Sequence, residues 1–343
     1  MTRPLPTAGS NRFQTLDGLR GLGAIAVLLL HFGGVLGVPA PAHGYLAVDL
    51  FFCLSGFVLT RSYANKIKNG MSFEEWISVR LIRLYPLFFL SMILGAAGAS
   101  FTGMPGHSMS PGDRLVAFVS GVLMAPSPTW KETPEMFPLN FVAWSLSIEL
   151  LLSILFYWAC RWRTRTIIAL VGLGLLGLAL VRWRIGYVGG GFAWRDAPTG
   201  LARGLYGFSM GMLMARQSFE RISSHGAWLP VIAAGLVMWI EPPHGVAYDL
   251  LAIVVLIPII AYAAARLDPK WGRLLEMFGD LSYAVYALHN VSLSAFEQVR
   301  ITGPVALILF LCFCGLLDHY YDRPIRRALS SRLHVRVKRL AAP

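Results

Sequence analysis

The sequence predicts an all-α, polytopic transmembrane helical bundle of about ten spans, with both termini cytoplasmic and one extra re-entrant or interfacial segment. Three observations predict it. Of 343 residues, 56% are hydrophobic and only 14% charged, where a soluble chain of this length carries about 25% charged residues. Apolar runs follow one another from Leu19 to Tyr321 with short breaks, which reads as a single membrane domain over residues 1–343 rather than two soluble domains. The basic residues sit in clusters between those runs, so the net charge of +12 is a topology signal and no nucleic-acid partner is expected.

The elements follow in order. A short cytoplasmic arm, residues 1–15, precedes the first run near Leu19. Arg3 and Arg12 before it and Ala40-Pro41-Ala42 after it imitate a signal peptide. The stretch 21–38 is longer than a signal core and carries His31, so it reads as a retained first helix. Further runs start near Gly44, Leu84, Phe141, Thr166, Leu201, Gly226, Tyr248, Phe278 and Pro304, which makes ten. The run from Leu115 to Ala125 is short and ends in a Pro-rich stretch, so it is the re-entrant or interfacial piece. A basic cytoplasmic tail, residues 322–343, closes the chain.

Charge tests this count. With the N-terminus inside, 22 of the 30 basic residues fall on the cytoplasmic side, from Arg3 and Arg12 to the tail. Seven fall outside or at outer helix ends (Arg114, Lys131, Arg182, Arg184, Arg195, Arg203 and Arg300), and Arg20 lies within the first helix. A spanning Leu115 segment would invert everything after it and put the basic tail outside, so ten spans are preferred. No internal repeat is visible, which disfavours the inverted-repeat transporter designs. The cysteines Cys53, Cys160, Cys312 and Cys314 form no CxxC pair and lie near no ligand-spaced histidine, so no metal is expected.

Titratable groups inside spans are costly and mark function by default. Arg20 and His31 are eleven positions apart, only about 20° past three full turns of helix and roughly 16 Å along it, so they line one face. Asp17, three before Arg20, can pair with it. His31 lies roughly 10 Å from the outer end of its helix, and Glu149, counted from Phe141, roughly 12 Å deep. His289 lies near the middle of its span and Asp49 shallower, near the outer start of the second. Four such groups on four helices thus share the middle-to-outer zone. At the inner face Arg80 and Arg83 share a side just before the third span, and a paired guanidinium site suits phosphate. Simple positive-inside flanking is the plainer alternative. Together these features suggest an anionic ligand docked on inner arginines with acid–base groups nearer the outer face, a path that fits a coenzyme A thioester.

The chain resembles the acyltransferase-3 family of membrane acyltransferases over most of its length. Leu16-Asp17-Gly18-Leu19-Arg20-Gly21-Leu22 with His31 is similar to that family's basic-residue-x10-His pattern. Asp49-Leu50-Phe51-Phe52-Cys53-Leu54-Ser55-Gly56-Phe57 resembles its FFxxSGF signature, and Arg80-Leu81-Ile82-Arg83-Leu84-Tyr85-Pro86 its RxxRxxP segment. Trp144-Ser145-Leu146-Ser147-Ile148-Glu149 resembles the WSLxxE element, and Ser282-Tyr283-Ala284-Val285-Tyr286-Ala287-Leu288-His289 the SYxxYxxH helix. Leu150-Leu151-Leu152 after Glu149, Ala47 in place of a common Gly, and Asp322-Arg323-Pro324 in place of Glu-x-Pro depart from the pattern.

The resemblance implies transfer of an acyl group, commonly acetyl, from cytoplasmic acyl-CoA to a hydroxyl, an acyltransferase of the class that moves groups other than aminoacyl. The implied acceptor is a carbohydrate or glycolipid, the implied place the inner membrane of a bacterium. No cofactor is expected to stay bound; acyl-CoA is the donor substrate. Carried over by motif, Arg20 and His31 are essential, Arg80, Arg83 and Arg20 bind acyl-CoA, and Glu149 supports the site. His31 is the expected general base, with Glu149 or Asp49 to orient it, or else the carrier of the acyl group. Ser55 is a poor nucleophile, since its Ser-Gly context reads equally as close packing. The rival reading is a proton-coupled secondary transporter with His31, Glu149 and His289 as its relay.

Overall fold

Residues 14–36 are almost free of charge and rich in Leu, Gly and Ala, and they form one helix, α1 (Gln14–Leu36). Gly37 ends it at φ 68°, its amide returning to the carbonyls of Gly33 and Gly34, a conformation that costs a glycine nothing. A computed structural model describes residues 12–340, apart from 102, 103, 105, 130–132, 219, 243, 244 and 271. Of the described residues, 77% are helical. The chain continues through α2 (Ala47–Lys68), α3 (Phe73–Gly98), α4 (Pro111–Val122), α5 (Ala143–Ala159), α6 (Thr164–Ile185), α7 (Ala197–Ala215) and α8 (Leu229–Trp239). Then come α9 (Gly245–Leu251), α10 (Ile257–Arg266), α11 (Arg273–Gln298), α12 (Gly303–Leu317) and α13 (Arg323–Leu340). Single π-helical turns at Ala252–Leu256 and Asp318–Asp322 join α9 to α10 and α12 to α13. One departure from an all-helical chain is a short parallel pairing of Ile222–Ser224 (β1) with Leu267–Pro269 (β2).

Six helices among the described residues are long and apolar enough to cross a membrane: Gln14–Leu36, Gly44–Lys68, Phe73–Gly98, Thr164–Ile185, Gly245–Arg266 and Gly303–Leu333. The remaining expected runs are helical but fall short of that description for identifiable reasons. Ala143–Ala159 and His225–Trp239 are apolar but short. α11 is long, yet every residue from Ser282 to Leu293 except Tyr283 is buried, so protein rather than lipid surrounds its polar side chains. α7 lies between α2 and α6 and packs through glycines. A Cβ on Gly211 would fall onto the Cys53 carbonyl, and one on Gly56 of α2 onto that of Phe208. Backbones this close are the small-residue contact that replaces hydrophobic drive within a bilayer.

Two boundaries move in ways that matter. α3 begins at Phe73, eleven residues before Leu84, behind a capping box in which Ser72 and Glu75 bond reciprocally. Arg80 and Arg83 therefore sit inside a helix and not in a flanking loop. The tail after Asp322 continues as α13, so most of it is helix. α4 has 12 residues, roughly 18 Å at helical rise and too short for a hydrocarbon core of about 30 Å. Its Leu115, Val116 and Val119 are exposed.

α1 and α11 run parallel and in contact along their lengths, with Gly18 over Leu275, Gly21 over Phe278 and His31 beside His289. At one end of the bundle, loops gather through His43 N–H to the Met238 carbonyl, Met136 N–H to Phe192, and Trp194 N–H to Pro134. At the other, Arg12 reaches Asp17 and Asp280, Thr15 bonds the Leu267 carbonyl, and Arg221 pairs with Asp268.

Candidate active site

A cavity of about 620 Å³ opens between α1, α2, α3, α5, α11 and the start of α13, at the end of the bundle that holds Arg12. Six arginines line it: Arg12, Arg20, Arg80, Arg83, Arg323 and Arg326. The carboxylates among them are Asp17, Glu149, Asp280, Asp318 and Asp322. At the mouth these are paired. Arg12 bonds Asp17 (2.5 Å) and Asp280 (2.6 Å), Arg323 bonds Asp318 (2.6 Å), and Arg326 bonds Asp322 (2.8 Å). Partial burial lowers the Arg12 pKa, but the two carboxylates outweigh it and raise the pKa above its ordinary value, so the arm's guanidinium stays charged.

Deeper in, the pairing thins. Arg20 touches only an edge of Asp17, at 3.3 Å. Arg80 is 3% exposed and donates to Glu149 at 2.9 Å, while its Nε has no partner. Arg83 is exposed to the cavity, and no carboxylate among the described residues lies within ion-pair distance of it. Glu149 spends one oxygen on two donors, the Arg80 guanidinium and Ser55 Oγ at 2.8 Å. The inner part of the cavity is thus rich in guanidinium N–H groups with spare capacity, which is what an anionic ligand requires.

His31 stands apart from this cavity. Its Nδ1 lies 3.0 Å from Nε2 of His289 on α11, with the two rings stacked. Phe141 meets the His31 ring edge to face at 4.9 Å. The backbone around His289 fixes the protons. Its Nδ1 faces the carbonyls of Tyr286 (2.9 Å) and Val285 (3.2 Å), which accept only, so Nδ1 carries hydrogen. Nε2 of His289 is then a lone pair when the ring is neutral, His31 must donate to it from Nδ1, and Nε2 of His31 is left as the free base. His289 is wholly buried, whereas His31 is exposed, and Gly34 one turn on has open space around it.

The structure therefore regroups the residues expected to act together. Arg20, Arg80, Arg83, Glu149, Ser55 and Asp17 line one cavity. His31 and His289 form a pair beyond it. Glu149 does not orient His31: its bonds go to Arg80 and Ser55, so the three-member relay is broken between Glu149 and the histidines. The depth match misled because Phe141 already lies beside the His31 ring, at the level of the histidine pair. The segment before α5 folds into the bundle, with Asn140 fully buried and bonded to Ser91 and the Ala287 carbonyl. Glu149 consequently starts from mid-bundle and reaches toward the arginines.

Asp49 is not at His31 either. It is held by Arg203, whose bonds are Nε to Oδ1 at 3.0 Å and Nη2 to Oδ2 at 2.6 Å. The same guanidinium donates to the carbonyls of Tyr45, Gly189 and Gly190. Arg203, 0% exposed, was counted from sequence as an outer topology charge; its place within the apolar run that starts near Leu201 was the available signal. A second buried cluster, His43 with Asp249 (2.7 Å) and Tyr45, also carried no motif that could announce it. All four cysteines are free, and no metal-binding group of three or more His, Cys, Asp or Glu occurs among the described residues.

A family model described as an acyltransferase domain matches residues 13–317. "Protein 2 in picA locus" of Rhizobium radiobacter is 36% identical over 164 residues, 45% of this chain and 84% of that protein. "Putative membrane-bound transacylase BcsY" of Komagataeibacter xylinus is 33% identical over 88 residues, 26% of this chain and 21% of that protein. No solved structure matches the chain.

Proposed function

The chain belongs to the acyltransferase-3 family and is a multi-pass membrane protein, and from that footing we propose that it moves an acyl group, acetyl in the first place, from acyl-CoA to a hydroxyl of an exported glycan, glycolipid or related acceptor. The observation that carries the reading is the arginine-lined cavity, whose far end approaches the His31–His289 pair. Phosphates of the donor bind Arg83, Arg80 and Arg20, and the pantetheine arm points the thioester inward. The acceptor reaches His31 from the opposite side, where His31 and Gly34 are exposed. His31 Nε2 takes the hydroxyl proton as the oxygen attacks the thioester carbonyl. The C–S bond breaks, and the departing thiolate receives the proton from the imidazolium. His289 holds the tautomer that makes this possible, and Glu149 fixes Arg80.

Arg83 offers the cleanest test, because removing it strands no carboxylate. Arg83→Gln should weaken binding of acetyl-CoA about 10-fold, the worth of one charge-assisted contact, without lowering the melting point. Lys at this position should restore only part, lacking the fork. Calorimetry on detergent-solubilised protein that finds unchanged affinity would remove the anion site from the reading.

We further propose ten crossings, both termini in the cytoplasm, and residence in the inner membrane of a bacterium, supported by the 22-to-7 division of basic residues. A topology reporter fused after Asn69 should read cytoplasm and one at Gly190 the outer side. The reverse pair of readings would overturn the orientation and with it the cytoplasmic origin of the donor.

A further inference from the structure

The cavity and the histidine pair do not meet. Ser145 and Tyr286 are among the residues that line the cavity, whereas His31 and His289 are not. What lies between is Tyr286 itself, one turn before His289 on α11. Its ring is 6.0 Å from the His289 ring and 5.5 Å from that of Phe51. Its hydroxyl is 2.5 Å from Ser145 Oγ on α5.

This hydroxyl pair is poorly anchored for so buried a place. Tyr286 is 5% exposed and Ser145 also 5%. Besides each other, both face one carbonyl, that of Val142, at 3.3 Å from Ser145 and 3.4 Å from Tyr286. Two hydroxyl protons therefore share one short contact and two long ones to a single carbonyl. Distances beyond about 3 Å are weak for O–H donors, so the pair can turn one proton toward a better acceptor at little cost. The acceptor with access is any oxygen that reaches the end of the cavity.

We propose that Tyr286 O–H, backed by Ser145, donates to the carbonyl oxygen of the donor thioester and holds the oxyanion that forms there. The inference rests on the acyl-transfer reading above and adds a catalytic residue to it. As the acceptor oxygen bonds to the carbonyl carbon, the carbonyl π electrons move onto oxygen, where Tyr286 O–H meets them. His31 Nε2 holds the hydroxyl proton meanwhile. When the C–S bond breaks, the charge on oxygen returns to re-form C=O, and the thiolate takes the proton from His31. Ser145 turns its own O–H from Val142 to the Tyr286 oxygen, 2.5 Å away, and so frees the tyrosine proton.

The test is Tyr286→Phe, which keeps the ring contacts with Phe51 and His289 and removes only the hydroxyl. Turnover should fall 100- to 1,000-fold, the usual loss on removing one oxyanion donor, with KM for acetyl-CoA changed less than about 3-fold. The deficit should shrink with fluoroacetyl-CoA, whose more electrophilic carbonyl depends less on that donor. Ser145→Ala should lose less, since it leaves the tyrosine proton in place, and it serves as the second variant if Tyr286→Phe does not fold. Turnover of Tyr286→Phe within about 3-fold of wild type, or equal deficits with both donors, overturns the proposal while acyl transfer stands. Wild-type protein that neither transfers nor hydrolyses the thioester overturns the functional reading and this one with it.

Discussion

Replacing His31 by Gln should lower acyl transfer about 1,000-fold while acetyl-CoA still binds, because the donor's phosphates contact arginines in a cavity that His31 does not line. An amide can fill the space and donate toward His289, but it cannot accept a proton near neutral pH. The partner separates geometry from bulk. His289→Gln presents a carbonyl oxygen where Nε2 lies 3.0 Å from His31 Nδ1, so the working tautomer of His31 keeps an acceptor and turnover should drop only about 10-fold. His289→Leu removes the acceptor and should cost substantially more. Rates measured with saturating labelled acetyl-CoA and a hydroxyl acceptor, beside CoA affinity, decide the matter. A His31→Gln protein that turns over near wild-type rates would reduce this residue to a packing histidine, and so would equal losses for the two His289 variants.

The largest structural effect is expected at Arg203. Arg203→Met leaves the Asp49 carboxylate fully buried without a cation and strips three carbonyls of their donor. Breaking one side of such a pair typically costs about 3–5 kcal/mol, so the thermal midpoint of detergent-solubilised protein should fall sharply. The double variant Arg203→Met, Asp49→Leu should recover much of that loss, since a buried pair replaced by apolar groups is often near neutral. If single and double variants melt together, the ion pair is not what ties the loop at Gly189 and Gly190 to the helices.

These two sites show how unevenly the sequence could be read. Apolar runs gave the helices because a lipid-facing surface must be apolar whatever it packs against. They also located α7 and α11, from the runs near Leu201 and Phe278, but said nothing of what surrounds them: Ser282, His289 and the glycines of α7 are buried against neighbouring helices. Helical spacing put Arg20 and His31 on one face of α1, whereas Arg20 lines the cavity and His31 lies beyond it, beside His289. The bond from His31 to His289 was not legible, because contacts between α1 and α11 depend on a packing that spacing along either helix leaves open. Glu149 was misplaced for one reason: its depth was counted from Phe141 as though the chain entered there from water. Arg80 and Arg83 were found by type and pairing and placed just before the third span; that they lie inside the same helix follows from the capping box of Ser72 and Glu75, which starts it at Phe73.

The end wall at Ser145 and Tyr286 also has an electrical meaning. In the proposed orientation the cavity carries cytoplasmic water and ions as far as that wall. A membrane voltage then falls almost wholly across the short remainder of the protein, where moving one full charge involves about 2.3 kcal/mol per 100 mV. The donor's phosphates stay on the arginine side, at the potential of the cytoplasm, and never enter the drop. What passes outward is formally an acyl cation, and what returns to the thiolate is a proton. The two charges cancel, so each turnover is an electroneutral swap, and the wall lets a group leave the cell's interior while the bilayer remains a charged capacitor.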